Sequence, residues 1–510
     1  MTAHVTTVTL LGIQPTTVEV QVQPRPGLPN LIIVGLPDNA VKESRERVQA
    51  ALHALGLALP AKRIAINLAP ADVLKEGSHF DLPIAVGLLI ALGALPPDAA
   101  DRALFLGELG LDGRLLAVPG ALPAAIHANA AGLQTLYIPA ANAAEAAWAG
   151  GTLQVYGVDN LADLIAHLKG DRALPLAQPG RPQQAAPSTK DFADVRGQEG
   201  AKRAAEIAAA GGHNLLMVGP PGSGKSMLAA RLPTILPPLT PSQALETSLV
   251  HSVAGLLHDG HLVAQRPFRD PHHTASPVSL TGGGLRAKPG EMSLAHHGVL
   301  FLDELPEFPR QVLETLRQPL ETGHIVVARA NAHIQYPARF QLVAAMNPSP
   351  CGYLGHPTTP CTSSPKQIQA YRARLSGPLL DRIDLHLDVP AVAVKDLSLP
   401  PAKEGSAAIA ARVAQARHVA MQRFQKLGLS ASYDCNARAD GDILTAIATP
   451  TSEGQHFLTT AAEKFNLSAR AYHRALKVAR TLADLAGDAT IGKPHLAEAL
   501  SYRYIPYQAE

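Results

Sequence analysis

"HNLLMVGPPGSGKSMLAARLP", His213 to Pro233, decides the fold class. Its apolar run, Leu215 to Val218, enters a glycine-rich turn and then a helical pattern, the chain order a phosphate-binding loop requires. Gly219, Gly222 and Gly224 allow the backbone to fold its N–H groups around phosphate oxygens at a helix N-terminus, where the macrodipole also favours negative charge. Pro220, Pro221 and Ser223 complete the turn. Lys225 is suited to supply a point charge to the β- and γ-phosphates of ATP, and the Ser226 hydroxyl can ligate Mg²⁺. The bland alternative, an ordinary strand-turn-helix, does not account for the full eight-residue pattern.

Two segments downstream fit the same reading. "GVLFLDELPEF" (Gly298 to Phe308) is an apolar run ending in two carboxylates, as a buried parallel strand with an acidic end would read. Asp303 suits the Mg²⁺ shell, and Glu304 suits orientation and polarisation of an attacking water. "FQLVAAMNPSP" ends a third strand pattern at Asn347, whose amide could reach that water or the γ-phosphate. The alternative for Asn347 is a residue closing a turn before Pro348.

Composition bounds the rest. Three cysteines in 510 residues exclude a disulfide framework and suit a reducing compartment, so the chain reads as cytoplasmic. No signal-peptide pattern opens it, and the oily stretch Ile84 to Leu95 is too short to span a bilayer, so no membrane partner is expected. A formal charge of +2 does not mark a nucleic-acid binder, and any such surface must be a local patch. "ALPLAQPGRPQQAAPSTK" (Ala173 to Lys190) reads as an extended linker and "VPAVAVKDLSLPPAKEGS" (Val389 to Ser406) as a weaker joint, giving units at 1–172, 191–395 and 396–510. The last is helical: Ala475, Ala479, Leu482 and Leu485 share one stripe, and Arg470, Arg474 and Lys477 another. His272-His273 and His296-His297 lack helical ligand spacing and an obvious partner set, and read as structural.

"RPFRDPHHTASPVSLTGGG", "PGEMSLAHHGVLFLDELPEF", "LETLRQPLETG" and "LSGPLLDRIDLHLDVP" together resemble the Mg-chelatase-like AAA+ proteins of the YifB/ComM family. The resemblance implies an α/β multidomain chain: a Lon-protease-like N-terminal domain with the fold of ribosomal protein S5 domain 2, an AAA+ P-loop α/β core with two insertions, and a C-terminal helical lid. It also implies a homo-oligomeric ring, usually a hexamer, with ATP between neighbours. By family position Arg382 is a finger for the neighbour's γ-phosphate, with Arg374 as alternate. Arg470, behind a Ser468 cap, would sense the phosphate of its own subunit. Val195 to Gln198 would line the base.

In the first unit, "VLKEGSHFDLPIAVGLLIALG" and the stretch from Leu104 to Pro139 carry the Lon resemblance. Lon proteases activate a serine with a lysine. Aligned on Lys75, Glu76 and Gly77, their serine falls at His79, with Ser78 one place early, and the helix after Gly120 holds no lysine. An inactive scaffold is expected.

The family implies action on single-stranded, duplex and branched DNA by branch migration, with recombination proteins as further partners. Arg286 and Lys288 in "TGGGLRAKPGE", and Arg329 and His333 in "GHIVVARANAHIQYPARF", are the candidates to track a phosphate backbone. A chelatase-type motor and a Lon-like protease are the competing readings; the front domain weighs against the first and the missing dyad against the second. Related chains carry four sulfurs near Asn347, where this one has Ser349, Cys351, Cys361 and Ser363. A closed structural zinc site wants four ligands, so zinc at Cys351 and Cys361 is disfavoured even with His356 as a third ligand.

Overall fold

The valines and threonines of "AHVTTVTLL" favour an extended chain and form the first element, the strand Ala3–Leu11, which pairs antiparallel with Gln14–Arg25. The computed structural model describes residues 2–180, 189–257, 259–284, 287–329, 332–356, 358–391, 404–429 and 433–503. Around that pair a mixed seven-stranded sheet is ordered Asn30–Val34, Arg63–Ala69, Gln14–Arg25, Ala3–Leu11, Ala103–Phe105, Thr135–Pro139, Gln154–Val158.

The oily stretch lies in the helix Asp81–Ala91, buried from Asp81 through Ile90 as an all-round apolar helix must be. Its N-terminal carboxylate is fixed by a two-pronged contact from Arg47 (2.6 and 2.9 Å) and by the Leu109 N–H. A charge so deep needs such partners.

The second sheet is wholly parallel, ordered Phe268–Arg269, Val299–Leu302, Gln341–Met346, Leu215–Val218, Leu385–Asp388. Its central strands Leu215–Val218, Val299–Leu302 and Gln341–Met346 are buried along their whole length, as parallel strands covered on both faces are. The edge strand Phe268–Arg269 falls inside the stretch from His251 to Glu291 that reads as one insertion. Two residues flanked by prolines carry no readable period, which is why sequence alone passes over it.

Beyond the second sheet the described residues form five helices: Ser406–Lys426, Gly441–Ile447, Ser452–Lys464, Ala469–Ala486 and Lys493–Ser501. In Ala469–Ala486 the stripe Ala475, Ala479 and Leu482 is buried, and Ser468 caps the helix by accepting from the Ala471 N–H at 3.2 Å.

Between the sheets the contact is direct. Helix Ala121–Ala130 packs on helix Pro241–Ala254, Gly120 N–H donates to the Ser252 carbonyl (3.0 Å), and the indole of Trp148 donates to Gly260 (2.8 Å). Buried Glu145 accepts from Ser252 Oγ (2.5 Å) and from Leu122 N–H (3.2 Å). The first residues of the segment that reads as a linker are fixed as well: Ala177 donates to Val155 (2.8 Å) and Gly180 to Ala144 (3.2 Å). The remainder, 181–188, lies outside the described residues, as does the joint at 392–403.

Candidate nucleotide site

Parallel register places the carboxyl ends of three strands side by side, with Val218 opposite Met346 and Leu302 opposite Ala344. The next residues are Gly219, Asn347 and Asp303. Sheet topology therefore gathers three sequence-distant motifs at one edge, where ligands of open α/β sheets bind.

Within the loop, a Cβ at Gly219 would stand 2.1 Å from the Val389 carbonyl oxygen, so only glycine fits. Gly222 (φ +76°) and Gly224 (φ +88°) hold left-handed conformations that let the turn open into helix Lys225–Arg231. The Lys225 ammonium, buried, donates to the carbonyls of Gly219 (2.8 Å) and Pro220 (2.9 Å), with Asn347 Oδ1 at 3.4 Å. Burial lowers its pKa, against the opposing charges of Asp303 and Glu304. Ser226 Oγ donates to Asp303 Oδ2 (2.6 Å).

A hydroxyl and a carboxylate are hard oxygen donors, the set Mg²⁺ prefers, and a buried ammonium in a glycine turn at a helix N-terminus suits a polyphosphate. The residues fit MgATP. Glu304, in a left-handed turn (φ +51°), projects to solvent with one oxygen 3.4 Å from His273 Nδ1. Gln198 donates to Pro390 (2.7 Å) and reaches the Ser223 carbonyl (3.4 Å), bringing the segment read as base-lining onto the loop.

Two residues at this edge escape the sequence reading. Asp270 follows the short edge strand, and burial together with the charge of Asp303 raises its pKa. His273 is the other. Their only signal is "FRDPHH", which becomes meaningful once its first two residues are known to be a strand.

Arg382 lies at the opposite edge of the sheet. It precedes strand Leu385–Asp388, and the neighbouring Asp384 N–H donates to the Asn214 carbonyl, just before Leu215. A four-residue strand spans roughly 10 Å, so Arg382 is remote from the phosphate loop of its own chain. Its guanidinium is buried, donating to Pro378 (2.6 Å) and to Glu321, with Nε unpartnered. The carboxylates adjacent in sequence are not its partners: Asp384 takes Arg474, His213 and the Asn214 N–H. Burial works to raise the Asp384 pKa, but Arg474 and His213 hold it well below the usual range.

Arg470 stands one helical turn before Arg474 and lines the same cleft as Arg382, a space of about 570 Å³. The helix carrying it packs on the amino edge of the sheet, where Arg474 donates to the Arg382 carbonyl and to Asp384. Arg374 pairs with Glu307 (2.7 Å) and the Pro306 carbonyl.

His297 lines that cleft too, and it and His296 meet Glu246, whose Oε2 lies 2.9 and 3.4 Å from their respective Nε2 atoms. The pair thus has a carboxylate partner, supplied by a helix some fifty residues earlier. His296 Nδ1 accepts the Arg339 N–H (3.0 Å), so its proton sits on Nε2 and points at Glu246. A ring protonated there donates a hydrogen bond rather than ligating a metal. The trio is a carboxylate clamp.

Lys288 is exposed on a hairpin with Gly282 and Gly283. Arg329 and His333 are at the tip of a second hairpin, His324–Arg329 with Ala332–Pro337. Tyr336 joins the two by donating to the Ala287 carbonyl (2.6 Å). Arg286 lies outside the described residues, as do the side chains of Arg329 and His333. In the front unit Ser78 donates to Glu108, Lys75 to the Pro70 carbonyl, and buried His79 bonds the Val8 carbonyl (2.8 Å). Among the described residues no hydrogen bond joins Ser78 to a lysine.

Family models for magnesium chelatase subunit ChlI match residues 191–397, for subunit ChlI of Mg-chelatase residues 18–142, and for the ChlI C-terminal region residues 403–503. The chain is 46% identical over 498 residues to competence protein ComM of Haemophilus influenzae, covering 97% of this chain and 96% of that one. It is 45% identical over 502 residues to YifB of Salmonella typhimurium, with the same coverage. The chain belongs to the YifB/ComM family of Mg-chelatase-like AAA+ proteins. More distantly, the magnesium-chelatase 38 kDa subunit of Rhodobacter capsulatus is 26% identical over 174 residues, 31% of this chain and half of that protein. Because the model matching 18–142 itself bears a chelatase subunit's description, a front domain is no argument against chelatase kinship. For this family the matched segments run through both sheets and the helical end, so the phosphate loop, Asp303 and Arg382 all fall within one matched region.

Proposed function

We propose that this family member is an ATP-driven ring motor on DNA, a branch-migration helicase serving homologous recombination during natural transformation. One observation carries the motor reading: the loop, Asp303, Glu304 and Asn347 converge at one edge of the sheet, while Arg382 and Arg470 share a cleft at the other. A site so divided is complete only when one subunit's phosphate edge meets the next subunit's arginine cleft, which favours a closed ring, most simply a hexamer. The DNA reading draws on the likeness to a relative named for competence.

MgATP bound at the loop supplies the phosphoanhydride whose cleavage drives the motor. Lys225 turns its ammonium from the Gly219 and Pro220 carbonyls to the phosphates, and Ser226 and Asp303 hold Mg²⁺. Glu304 takes the proton of the attacking water and Asn347 orients it. Arg382, released from Glu321, reaches across to a neighbour, with Arg470 beside it; both must stay charged and forked. Lys288, Arg329 and His333 on paired hairpins, with Arg286 near Lys288 in sequence, would repeat around a channel and follow a phosphate backbone.

The test is ATP turnover with and without single-stranded, duplex and forked DNA, followed by four-way-junction unwinding. Stimulation and unwinding are expected; a well-formed ring that shows neither overturns the DNA reading. A second reading, a chelatase-type motor, is favoured by the description matched at 18–142. ATP turnover indifferent to DNA would favour it.

A further inference from the structure

We propose that Cys351 and Cys361 form a dithiol that oxidises reversibly to an intramolecular disulfide, and that this oxidation acts on the phosphate loop. The two sulfurs are 3.2 Å apart and both residues are part-exposed. A disulfide needs about 2.05 Å, so closure asks for a shift of about 1.2 Å. Ser349 Oγ is 3.2 Å from Cys351 Sγ and 3.7 Å from Cys361 Sγ. Ser363 Oγ accepts the Cys351 N–H at 3.2 Å.

Nothing else claims the thiols: among the described residues no third His, Cys, Asp or Glu joins them within ligand range. His356 turns its Nδ1 to the Thr359 N–H (3.1 Å) and its ring edge to Tyr353. Hydrogen bonds from the Ser349 and Ser363 hydroxyls and from the Tyr353 backbone hold the Cys351 thiol down to about 4. Cys351 is therefore the attacking thiolate and Cys361 the resolving thiol. The third cysteine, Cys435, is buried, and burial raises its pKa.

With a small-molecule disulfide as oxidant, the Cys351 thiolate attacks one sulfur and expels the other half as a thiolate. Cys361 then loses its proton and attacks the Cys351 sulfur of the mixed disulfide, expelling the second thiolate. Two protein thiols are oxidised and one external disulfide is reduced to two thiols.

The consequence for the nucleotide site follows from Gly352, next to the attacking sulfur. It is in a left-handed conformation (φ +83°), and a Cβ there would stand 2.6 Å from Pro221 Cδ and 3.8 Å from Asn347 Cγ. The loop backbone thus lies on the phosphate loop and beside the γ-phosphate amide, so moving Cys351 moves both. This second half rests on the nucleotide-site reading above.

Purified full-length protein is equilibrated in glutathione disulfide and glutathione mixtures, and denatured thiols are counted beside ATP turnover. The expected count falls from three to one, mapped by mass spectrometry to a Cys351–Cys361 link. Turnover should fall about fivefold or more and return with dithiothreitol. Cys351→Ser and Cys361→Ser should keep the reduced protein's rate and lose the response. Three thiols under oxidising mixtures, a stable glutathione adduct on Cys351, or a link through Cys435 overturns the dithiol. A mapped link with unchanged turnover overturns the coupling. Absent turnover in reduced protein indicts the nucleotide-site reading and leaves the thiol count standing.

Discussion

Glu304 and Asp303 are adjacent in sequence yet differ in surroundings: Asp303 is engaged by Ser226, while Glu304 faces solvent beside His273. That difference assigns their roles, and Glu304→Gln should preserve nucleotide binding while lowering turnover by about 10²- to 10⁴-fold, the scale of a lost general base. Equal losses of binding and turnover in titration and steady-state assays would reject the assignment. Arg382→Ala should keep nucleotide binding and reduce turnover by about 10³-fold or more; a purified variant hydrolysing ATP at the parent's rate would remove Arg382 from the site. The phosphate-loop residues and Asp303 are legible from sequence because their neighbours along the chain, an apolar run and a turn, are their structural context. Asp270, Glu321 and Glu246 are not, because each acquires its role from a residue tens of positions away. The placing of Arg470 is not legible either: a helix's sequence does not say which edge of a sheet it covers.

At the scale of elements, the clamp of Glu246 on His296 and His297 fastens helix Pro241–Ala254 to the turn that starts strand Val299–Leu302. Burial, then the neighbouring His296, push the His297 pKa down to about 4, with Glu246 opposing and Arg438 adding. Hydrogen bonds from His296 and His297 hold Glu246 down to about 2. Both folded values lie below the unfolded ones, so the unfolded chain binds more protons in acid and stability rises with pH. The histidine contribution is complete above about 6.5 and is lost as pH falls toward 4; that of Glu246 is lost from about 4.5 toward 2. Between pH 7 and 5 the loss should be on the order of 2 kcal/mol, read as a lower urea midpoint, and His297→Asn should flatten it. A midpoint unchanged over that range would contradict the clamp. The two-residue strand Phe268–Arg269 marks the limit of periodicity here, whereas Leu215–Val218 and Val299–Leu302 are plain apolar runs.

At the scale of the whole molecule, the contacts that join its two sheet units include the Glu145 and Ser252 pair and the indole of Trp148 on Gly260. Ser252→Ala leaves buried Glu145 short of a donor and should cost about 1–3 kcal/mol. Trp148 is the chain's single tryptophan, so its emission should shift to the red at lower denaturant in that variant, and an unchanged emission midpoint would remove the contact from the account. Nothing in "ALPAAIHANAAG" by itself tells that this helix packs on the second sheet's unit; its small residues permit close approach but name no partner. The central claim is that each nucleotide is served by two chains, with Glu304 from one and Arg382 from its neighbour. The most direct test mixes Glu304→Gln and Arg382→Ala proteins, each inactive alone, and measures ATP turnover. In a ring, about one interface in four then pairs an intact Glu304 with an intact Arg382, and turnover should reappear. Mixtures as inactive as their components, with subunit exchange demonstrated, would contradict the claim.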